Sequence, residues 1–437
     1  MARRLIAYVD GVRTGVFQQS DAGAITYTYD SDIDVEATPL SVSMPLIPGA
    51  TYKNAVARPF LQGLLPDNDA TLGALAATFH TSAKNPMALL EHVGRDTAGA
   101  LQLLPPDRES DDAAKRTGDV RYVEDFDDLI ADIVKDAAVW QRERDQIRWS
   151  LAGAQPKVAL HRTSDGRWAV PLDSTPTTHI LKPAAAGTRH DLNEFVTMRA
   201  ARHLGLLVAH HEILTTAKGD HVFVSRRYDR TELDGRLHRL HQEDFAQALS
   251  VDPARKYQQD GGPGVADFAR VLAAMPPTAA FEARRSLFDA LVYTVSAVNT
   301  DAHAKDYSVI HFGAQMALAP LYDLGSNVLY RGEYPVESAV SIGGERVMDR
   351  IGEKQFLAAA KTLQVDADYA IESVQRIRGG VAEAFLAARS EVQADAGGLV
   401  SVSDIVDGIA ARARSKGWSE SAATARSSRR RSRASAR

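Results

Sequence analysis

The sequence predicts an α+β chain built as two lobes around a cleft. Three observations lead there. The chain has 437 residues, more than one compact core ordinarily takes. Its first half carries short apolar runs between turn residues, the pattern of strands. Beyond about residue 240 the apolar spacing changes to that of helices.

The elements follow in order. "RRLIAYV" (3–9) alternates like a strand and meets a turn at Asp10-Gly11. "AITYTYD" (24–30) alternates again. Helices are expected at 54–64 and 85–93, and a short strand from Gly99 to Leu104, stopped at Pro105-Pro106. Residues 1–104 therefore form a small α+β subdomain. "PPDRESDDAAKRTGDV" (105–120) is polar and rich in breakers, a linker, and an amphipathic helix is expected at 124–136. Linker and helix fill 105–146.

A β-rich part spans 147–236. "KVALHR" and "WAVPL" are strands around the turn Ser164-Asp165-Gly166, and "THILKP" is another, stopped by Pro183. Over 191–204 a helix is expected, with Leu192, Phe195, Val196 and Met198 sharing a face and Gly205 at its end. "HVFVSRRYDR" (221–230) reads as a strand leaving this part. Residues 237–415 form a helical lobe, with helices at 242–250, 264–275, 281–298, 353–362 and 367–388. A tail, 416–437, closes the chain.

Composition narrows the chemistry. Apolar residues make up 45% and charged residues 24%, an ordinary globular balance. There is no cysteine, which excludes disulfides, thiol catalysis and zinc–thiolate sites. The first twenty residues lack the apolar core of a signal peptide, and no run approaches the ~20 apolar residues of a membrane span. A soluble cytoplasmic protein is expected. The net charge is −5; residues 420–437 carry six arginines and one glutamate, +5, which leaves −10 on residues 1–419. The tail lacks apolar periodicity and is expected to be disordered, either a solvated end or an electrostatic arm for nucleic acid.

Four stretches could carry chemistry. "SLAGAQPK", Ser150 to Lys157, sets Gly153 among small residues, which lets backbone N–H groups approach a phosphate. Lys182 ends an apolar strand, and Glu194 on the next helix could pair with it. "NTDAHAKDYSVI" (299–310) leaves an apolar helix and offers Asp301 as a proton acceptor, Asp306 as a metal ligand, and His303 and Lys305 as orienting groups. "LAPLYDLGSN" (318–327) is read as an apolar strand ending at Tyr322-Asp323. Each stretch alone has a plainer reading: a tight turn, a snorkelling lysine, capping aspartates, a turn aspartate before glycine. Together their order is small-residue loop, strand lysine, helix glutamate, Asp-x-x-x-x-Asp, then Asp323. That is the order of parts in protein-kinase phosphoryl transfer, which relies on positioning and charge stabilisation.

At this point the sequence resembles a specific family, the HipA-type serine/threonine kinases, toxins of bacterial toxin–antitoxin pairs. The resemblance runs to about residue 415 through "LSVSMPL", "FLQGLLPD", "SLAGAQPKVAL", "THILKP", "NEF", "RRYDR", "HQEDFAQAL", "KYQQDGGPG", "NTDAHAKDYSV" and "LAPLYDL". It implies a two-lobed protein-kinase-like fold with an appended N-terminal α+β subdomain, and ATP and Mg²⁺ as cofactors. It implies Asp301 as catalytic base, Asp323 and Asp306 as metal ligands, and Lys182 as the ATP-phosphate lysine supported by Glu194. Leu151, Ala152, Gly153, Ala154, Gln155, Pro156 and Lys157 match the phosphate loop. Arg226, Arg227 and Tyr228 fall at the adenine-contacting hinge, His303 and Tyr322 beside the nucleotide. Ser150 matches a serine that members autophosphorylate, which switches activity off by ejecting the loop.

The implied partners are a small helix-turn-helix antitoxin, operator DNA bound through the complex, and a protein substrate, by default the glutamyl aminoacyl-tRNA synthetase. Phosphorylation of that target stalls translation and gives growth arrest and persistence. Two positions depart from the family pattern. The loop normally reads D-x-H-x-K-N, and this chain has Asp306; an ionised carboxylate cannot donate as an amide does, and it adds a charge near Asp301. An active natural variant, a weakened kinase kept as a repressor partner, and a substitution made to disarm a toxin all remain open. Arg226 also stands where an acidic residue is common. A small-molecule or lipid kinase is a third class of function for the same parts.

Overall fold

The computed structural model describes residues 3–106, 118–135, 149–153, 155, 157–184, 189–329, 335–395 and 402–418. Most of the expected linker, Ala154, Pro156 and the arginine-rich tail lie outside the described residues.

An antiparallel sheet opens the chain: β1 (Arg3–Val9), β2 (Val12–Gln19), β3 (Ile25–Tyr29), β4 (Thr51–Tyr52) and β5 (Leu101–Leu104), in the order β4-β3-β2-β1-β5. Between β4 and β5 run α1 (Asn54–Gly63), α2 (Asp69–Thr78) and α3 (Pro86–Val93). Asn68 starts α2 by accepting from the backbone N–H groups of Ala70 and Thr71, and Asn85 caps α3 with Pro86 in the first turn.

The second sheet holds β6 (Val120–Tyr122), β7 (Val158–Arg162), β8 (Trp168–Pro171), β9 (His179–Pro183), β10 (His211–Thr215) and β11 (His221–Arg226), in the order β10-β11-β9-β7-β8-β6. Helix α4 (Phe126–Lys135) precedes β7, and α5 (His190–His203) follows β9. A hairpin, β12 (Arg230–Leu233) and β13 (Arg236–Arg239), leads into the second lobe.

There the fold departs from the expected run of helices. The stretch read as a helix at 242–250 is strand β14 (His241–Asp244) followed by only one helical turn, α6 (Phe245–Ala248). β14 pairs with β15 (Ser308–Phe312), which pairs with β16 (Gln315–Leu318). "HQED" has no strand preference of its own; the distant β15 imposes it. The strand expected to end at Asp323 ends at Leu318 instead. Similarly, the strand expected over 221–230 stops at Arg226, where the chain turns into the hairpin. The helices of this lobe are α7 (Val265–Ala273), α8 (Pro277–Ser296), α9 (Glu353–Leu363), α10 (Ala367–Asp395) and α11 (Ser403–Ser415), with a hairpin of β17 (Glu337–Ile342) and β18 (Glu345–Val347).

Two large cores sit under the described elements. One runs through both sheets, so Phe17, Phe60 and Leu103 of the first unit share it with Val158, Leu181 and Val222 of the second. The other lies among the helices of the second lobe and takes in α5 through Leu192, Phe195 and Val196. Strand alternation divides them: in β11, Val222 and Val224 face the first core and Phe223 the second. Lys182 is the register partner of Phe223, whereas its neighbour Leu181 is in the first core.

A buried ionic network fixes the N-terminal unit to the strand-to-hairpin turn. Asp96 accepts from Arg230 at 2.8 Å, Arg239 at 3.1 Å and Arg227 at 3.4 Å, and from the Thr177 hydroxyl at 2.6 Å. Asp229 takes Arg227 at 2.6 Å and the N–H of Gly99 at 2.7 Å. Burial penalises the Asp96 charge, but the three guanidinium groups hold its pKa well below the usual carboxylate range. Removing the carboxylate strands buried arginines. Asp96→Ala should therefore cost about 3–5 kcal/mol, read as a lower urea midpoint at unchanged slope. The exposed pair Asp165–Arg167 serves as control, and Asp165→Ala should leave the midpoint where it was.

Candidate functional site

The cleft between the lobes is centred on one ammonium group. Lys182 Nζ donates to Glu194 Oε1 at 2.8 Å and Oε2 at 3.0 Å, and to Asp323 Oδ1 at 2.8 Å. The pleat of β9 turns Lys182 away from Leu181, and Glu194 lies on α5 opposite the face that carries Leu192, Phe195 and Val196 into the second core. Burial raises Glu194 to about 7 against the pull of Lys182. Burial also works against the Asp323 carboxylate, yet Lys182 and Lys157 beside it hold its pKa well below the ordinary range. Lys182 stays charged: its own desolvation is outweighed by Asp323 and Glu194.

The small-residue loop closes one wall. Lys157 Nζ donates to Ala152 O at 2.8 Å, and burial, then the Lys182 charge, lower its pKa to about 8. Gly153 has φ +105°, a backbone conformation that calls for glycine, and Lys157 Nζ packs against the space a Cβ would take. Leu151, Ala152, Gly153, Gln155 and Lys157 all line the cleft. Ser150 does not: it is 2% exposed and its Oγ donates to Leu64 O at 2.6 Å.

The second wall is the loop after α8. Val298, a β-branched residue, is held at φ +58°, with its carbonyl accepting from Asn327 N at 2.8 Å. Asp323 has φ +56°. Asn193 of α5 supports that segment through two 2.8 Å hydrogen bonds to the Ser326 backbone. Asp301 is exposed to the cleft; its N–H donates to Asn299 Oδ1 at 3.1 Å and its Oδ1 accepts from Tyr257 OH at 2.5 Å. Asp306 Oδ2 accepts from His303 N at 2.9 Å and lies 2.7 Å from His303 Nδ1. Burial raises the Asp306 pKa. Burial would lower that of His303, but the Asp306 charge outweighs it and the net shift is upward.

Toward the hinge, Tyr228 and Tyr322 stack with ring centroids 5.8 Å apart, and Tyr322 OH donates to Lys305 O at 2.7 Å. Arg226 lines the cleft mouth with its N–H donating to His210 O at 2.8 Å. Arg227 also borders the cleft, but its guanidinium is committed to Asp96, Asp229 and Thr177, and its backbone N–H donates to Thr178 O at 2.9 Å.

The structure thus brings Lys182, Glu194, Asp323, Asp306, Asp301, His303, Tyr322 and the described part of the loop to one cleft. Ala154 and Pro156 fall outside the described residues, and Ser150 sits behind the wall. The cleft residues absent from the sequence reading as site residues include Asp67, Lys256, Tyr257 and Asp244. They converge only through tertiary docking, although the motifs "FLQGLLPD", "KYQQDGGPG" and "HQEDFAQAL" contain them. For a divalent ion the donor set is Asp306 and Asp323. Two carboxylates with open oxygens and room for water suit Mg²⁺, and Oδ1 of Asp306 and Oδ2 of Asp323 have no protein hydrogen-bond partner among the described residues. Lys157 and Lys182 suit a polyphosphate.

The chain is similar to known proteins over most of its length. A family model of the HipA-like C-terminal domain matches residues 149–385, and one of the HipA N-terminal domain matches 5–104. A Sinorhizobium fredii protein named "Putative kinase Y4mE" is 37% identical over 375 residues, covering 84% of each chain. The "Serine/threonine-protein kinase toxin HipA" of Shewanella oneidensis is 29% identical over 384 residues, 83% of this chain and 84% of that one. Among solved structures, the HipA, HipB and operator DNA complex of Shewanella oneidensis contains a chain that superposes with TM-score 0.77 at 23% identity, covering 95% of this chain and 96% of that one. The fold is therefore the kinase-like one with an N-terminal subdomain.

The His303–Asp306 contact is open to direct test. Asp306→Asn should lower the His303 pKa, because the carboxylate is what overcomes the cost of burying an imidazolium. An NMR titration of the imidazole reads this; an unmoved midpoint would place the cause elsewhere.

Proposed function

The chain belongs to the HipA family, and on that premise we propose that it is an ATP- and Mg²⁺-dependent serine/threonine protein kinase acting as the toxin of a toxin–antitoxin pair. The observation that carries the reading is the cleft-facing Lys182, clasped by Glu194 and Asp323 and set opposite Asp301 and Asp306.

Asp301 serves as the base that takes the proton of the acceptor hydroxyl. Tyr257 fixes one of its oxygens and leaves the other for that proton. Lys182 and Lys157 hold the nucleotide phosphates, with Leu151, Ala152, Gly153 and Gln155 beside them. Asp306 and Asp323 would hold Mg²⁺, which supplies charge neutralisation on the β- and γ-phosphates. Tyr228, Tyr322 and the backbone near Arg226 face the adenine. Ser150 is the proposed site of self-inactivation. Its hydroxyl is buried against Leu64 O, so modification requires the loop to leave the wall, and a phosphate with nearly two negative charges would keep it from returning.

The proposed partners are a helix-turn-helix antitoxin and, through it, operator DNA. The similar Shewanella oneidensis HipA was solved in complex with HipB and its operator DNA, which supports that choice. The proposed substrate is an aminoacyl-tRNA synthetase, the glutamyl enzyme first. A second reading, a weakened kinase retained as a binding partner, is favoured by Asp306 alone.

Two measurements separate these readings. After prolonged incubation with ATP and Mg²⁺, intact-mass analysis should show one added phosphate, mapping to Ser150, and none in Asp301→Asn. Expression of the wild-type chain should arrest growth, and Asp301→Asn should relieve the arrest with transfer slowed by at least about 10²-fold. Continued arrest by that variant would sink the assignment of Asp301. If only Asp306→Asn transfers phosphate, the weakened-kinase reading holds.

A further inference from the structure

Asp67 enters the cleft from the N-terminal unit. It lies in the turn between α1 and α2, yet Lys256 Nζ donates to its Oδ2 at 2.9 Å and Lys305 Nζ donates to its Oδ1. Lys305 belongs to the loop of Asp301 and Asp306. Lys256 directly precedes Tyr257, whose hydroxyl binds Asp301. The three side chains are only 10%, 14% and 4% exposed for Asp67, Lys256 and Lys305, so their pairing is little screened by water. The turn is itself tied to the opposite wall. Leu64 O accepts from Ser150, and Asp67 N donates to Gly153 O at 3.3 Å. One turn therefore touches the small-residue loop with its backbone and the Asp301 loop with its carboxylate.

We propose that Asp67 is a positioning residue of the transfer site, acting through Lys305 and Lys256 to hold both ammonium groups beside the path of the transferred phosphoryl. The proposal rests on the phosphoryl-transfer reading above. Lysine is a point charge on a flexible stem. Without Asp67, the buried Lys305 ammonium would turn to Asp244, Asp301 or Asp306, which line the same cleft, and a lysine on Asp301 would occupy the base. With Asp67 in place, two lysines share one carboxylate and the cluster keeps a net positive charge for phosphate. The carboxylate also repels the nucleotide, so it gives up some affinity for placement.

The test compares full-length wild type with Asp67→Asn, Asp67→Glu, Lys305→Met and the double variant Asp67→Asn/Lys305→Met. Asp67→Asn should lower kcat about tenfold or more, with KM for ATP unchanged or lower. Asp67→Glu, which keeps the charge and shifts it by one methylene, should lose about two- to fivefold in kcat with KM unchanged. The double variant should be no slower than Lys305→Met alone, because both changes remove one device. A non-hydrolysable ATP analogue with Mg²⁺ should bind Asp67→Asn a few-fold tighter than wild type.

A wild-type kcat in either Asp67 variant, a raised kcat in Asp67→Asn, or losses that multiply in the double variant would overturn the proposal. If Asp67→Asn does not fold, Asp67→Glu decides. If the wild type transfers no phosphate at all, the kinase reading fails by itself. The analogue still decides here: equal or weaker binding by Asp67→Asn overturns the role of Asp67.

Discussion

A single buried lysine sets the terms for the rest of the molecule. An ammonium group at this depth is costly unless paired, and Lys182 is paired twice. Those pairs constrain three elements at once. β9 must present Lys182 on the face opposite Leu181. α5 must turn Glu194 away from the helical core that its other face enters. The segment after β16 must hold Asp323 at φ +56°, a conformation disfavoured for a non-glycine residue, and Asn193 of α5 holds it there through Ser326. The clasp therefore joins the sheet core to the helical core at the cleft. A polyphosphate would compete for the same ammonium, so the clasp also sets how tightly the site is closed without one.

The N-terminal unit is part of this construction. It shares its core with the second sheet, and its polar contacts reach across to the second lobe. Glu243 of β14, fully buried, accepts from Ser41 Oγ at 2.5 Å and Val42 N at 2.7 Å, and lies 3.0 Å from His311 Nε2. Asp96 gathers three arginines from the stretch between β11 and β14. A unit held by apolar surface alone could slide. One held by buried ion pairs has a single register, because each misplacement leaves a charge without a partner. That rigidity is what lets a turn as remote in sequence as 64–67 meet both walls of the cleft.

Much of the site was legible in the sequence because its chemistry sits in compact local motifs. Lys182 and Glu194 are twelve residues apart, and strand and helix periodicity alone orient them toward each other. Asp301, His303 and Asp306 share one loop. Asp67, Lys256 and Asp244 were not legible as cleft residues: their meeting depends on docking across nearly two hundred residues, which periodicity does not encode. The same limit explains 242–250. "HQED" followed by "FAQAL" has helical spacing, and only pairing with β15, some sixty-five residues on, makes its first half a strand. Asp323 was placed at a strand end because an apolar run precedes it. The strand stops earlier, and the left-handed backbone at Asp323 has no sequence signal, since aspartate is not glycine. Arg227 was read toward the hinge, and its charge is spent on Asp96 and Asp229.

The loop of Asp301 also clarifies the residue at 306. An asparagine there would offer an amide N–H to its surroundings. A carboxylate brings a charge into a cleft that already holds Asp301 and Asp323, and their repulsion adds to the burial that raises its pKa. The loop answers that charge from within. The His303 backbone N–H and imidazole both approach Asp306 Oδ2, and the imidazole is in turn packed edge-on against Tyr257, ring centroids 4.7 Å apart. Tyr257 is also the donor to Asp301. The added carboxylate is thus matched by a histidine whose protonation it favours, and the two titrate as a pair. This pairing leaves Asp306 Oδ1 open toward the cleft, the one atom that a metal-binding role for this residue requires.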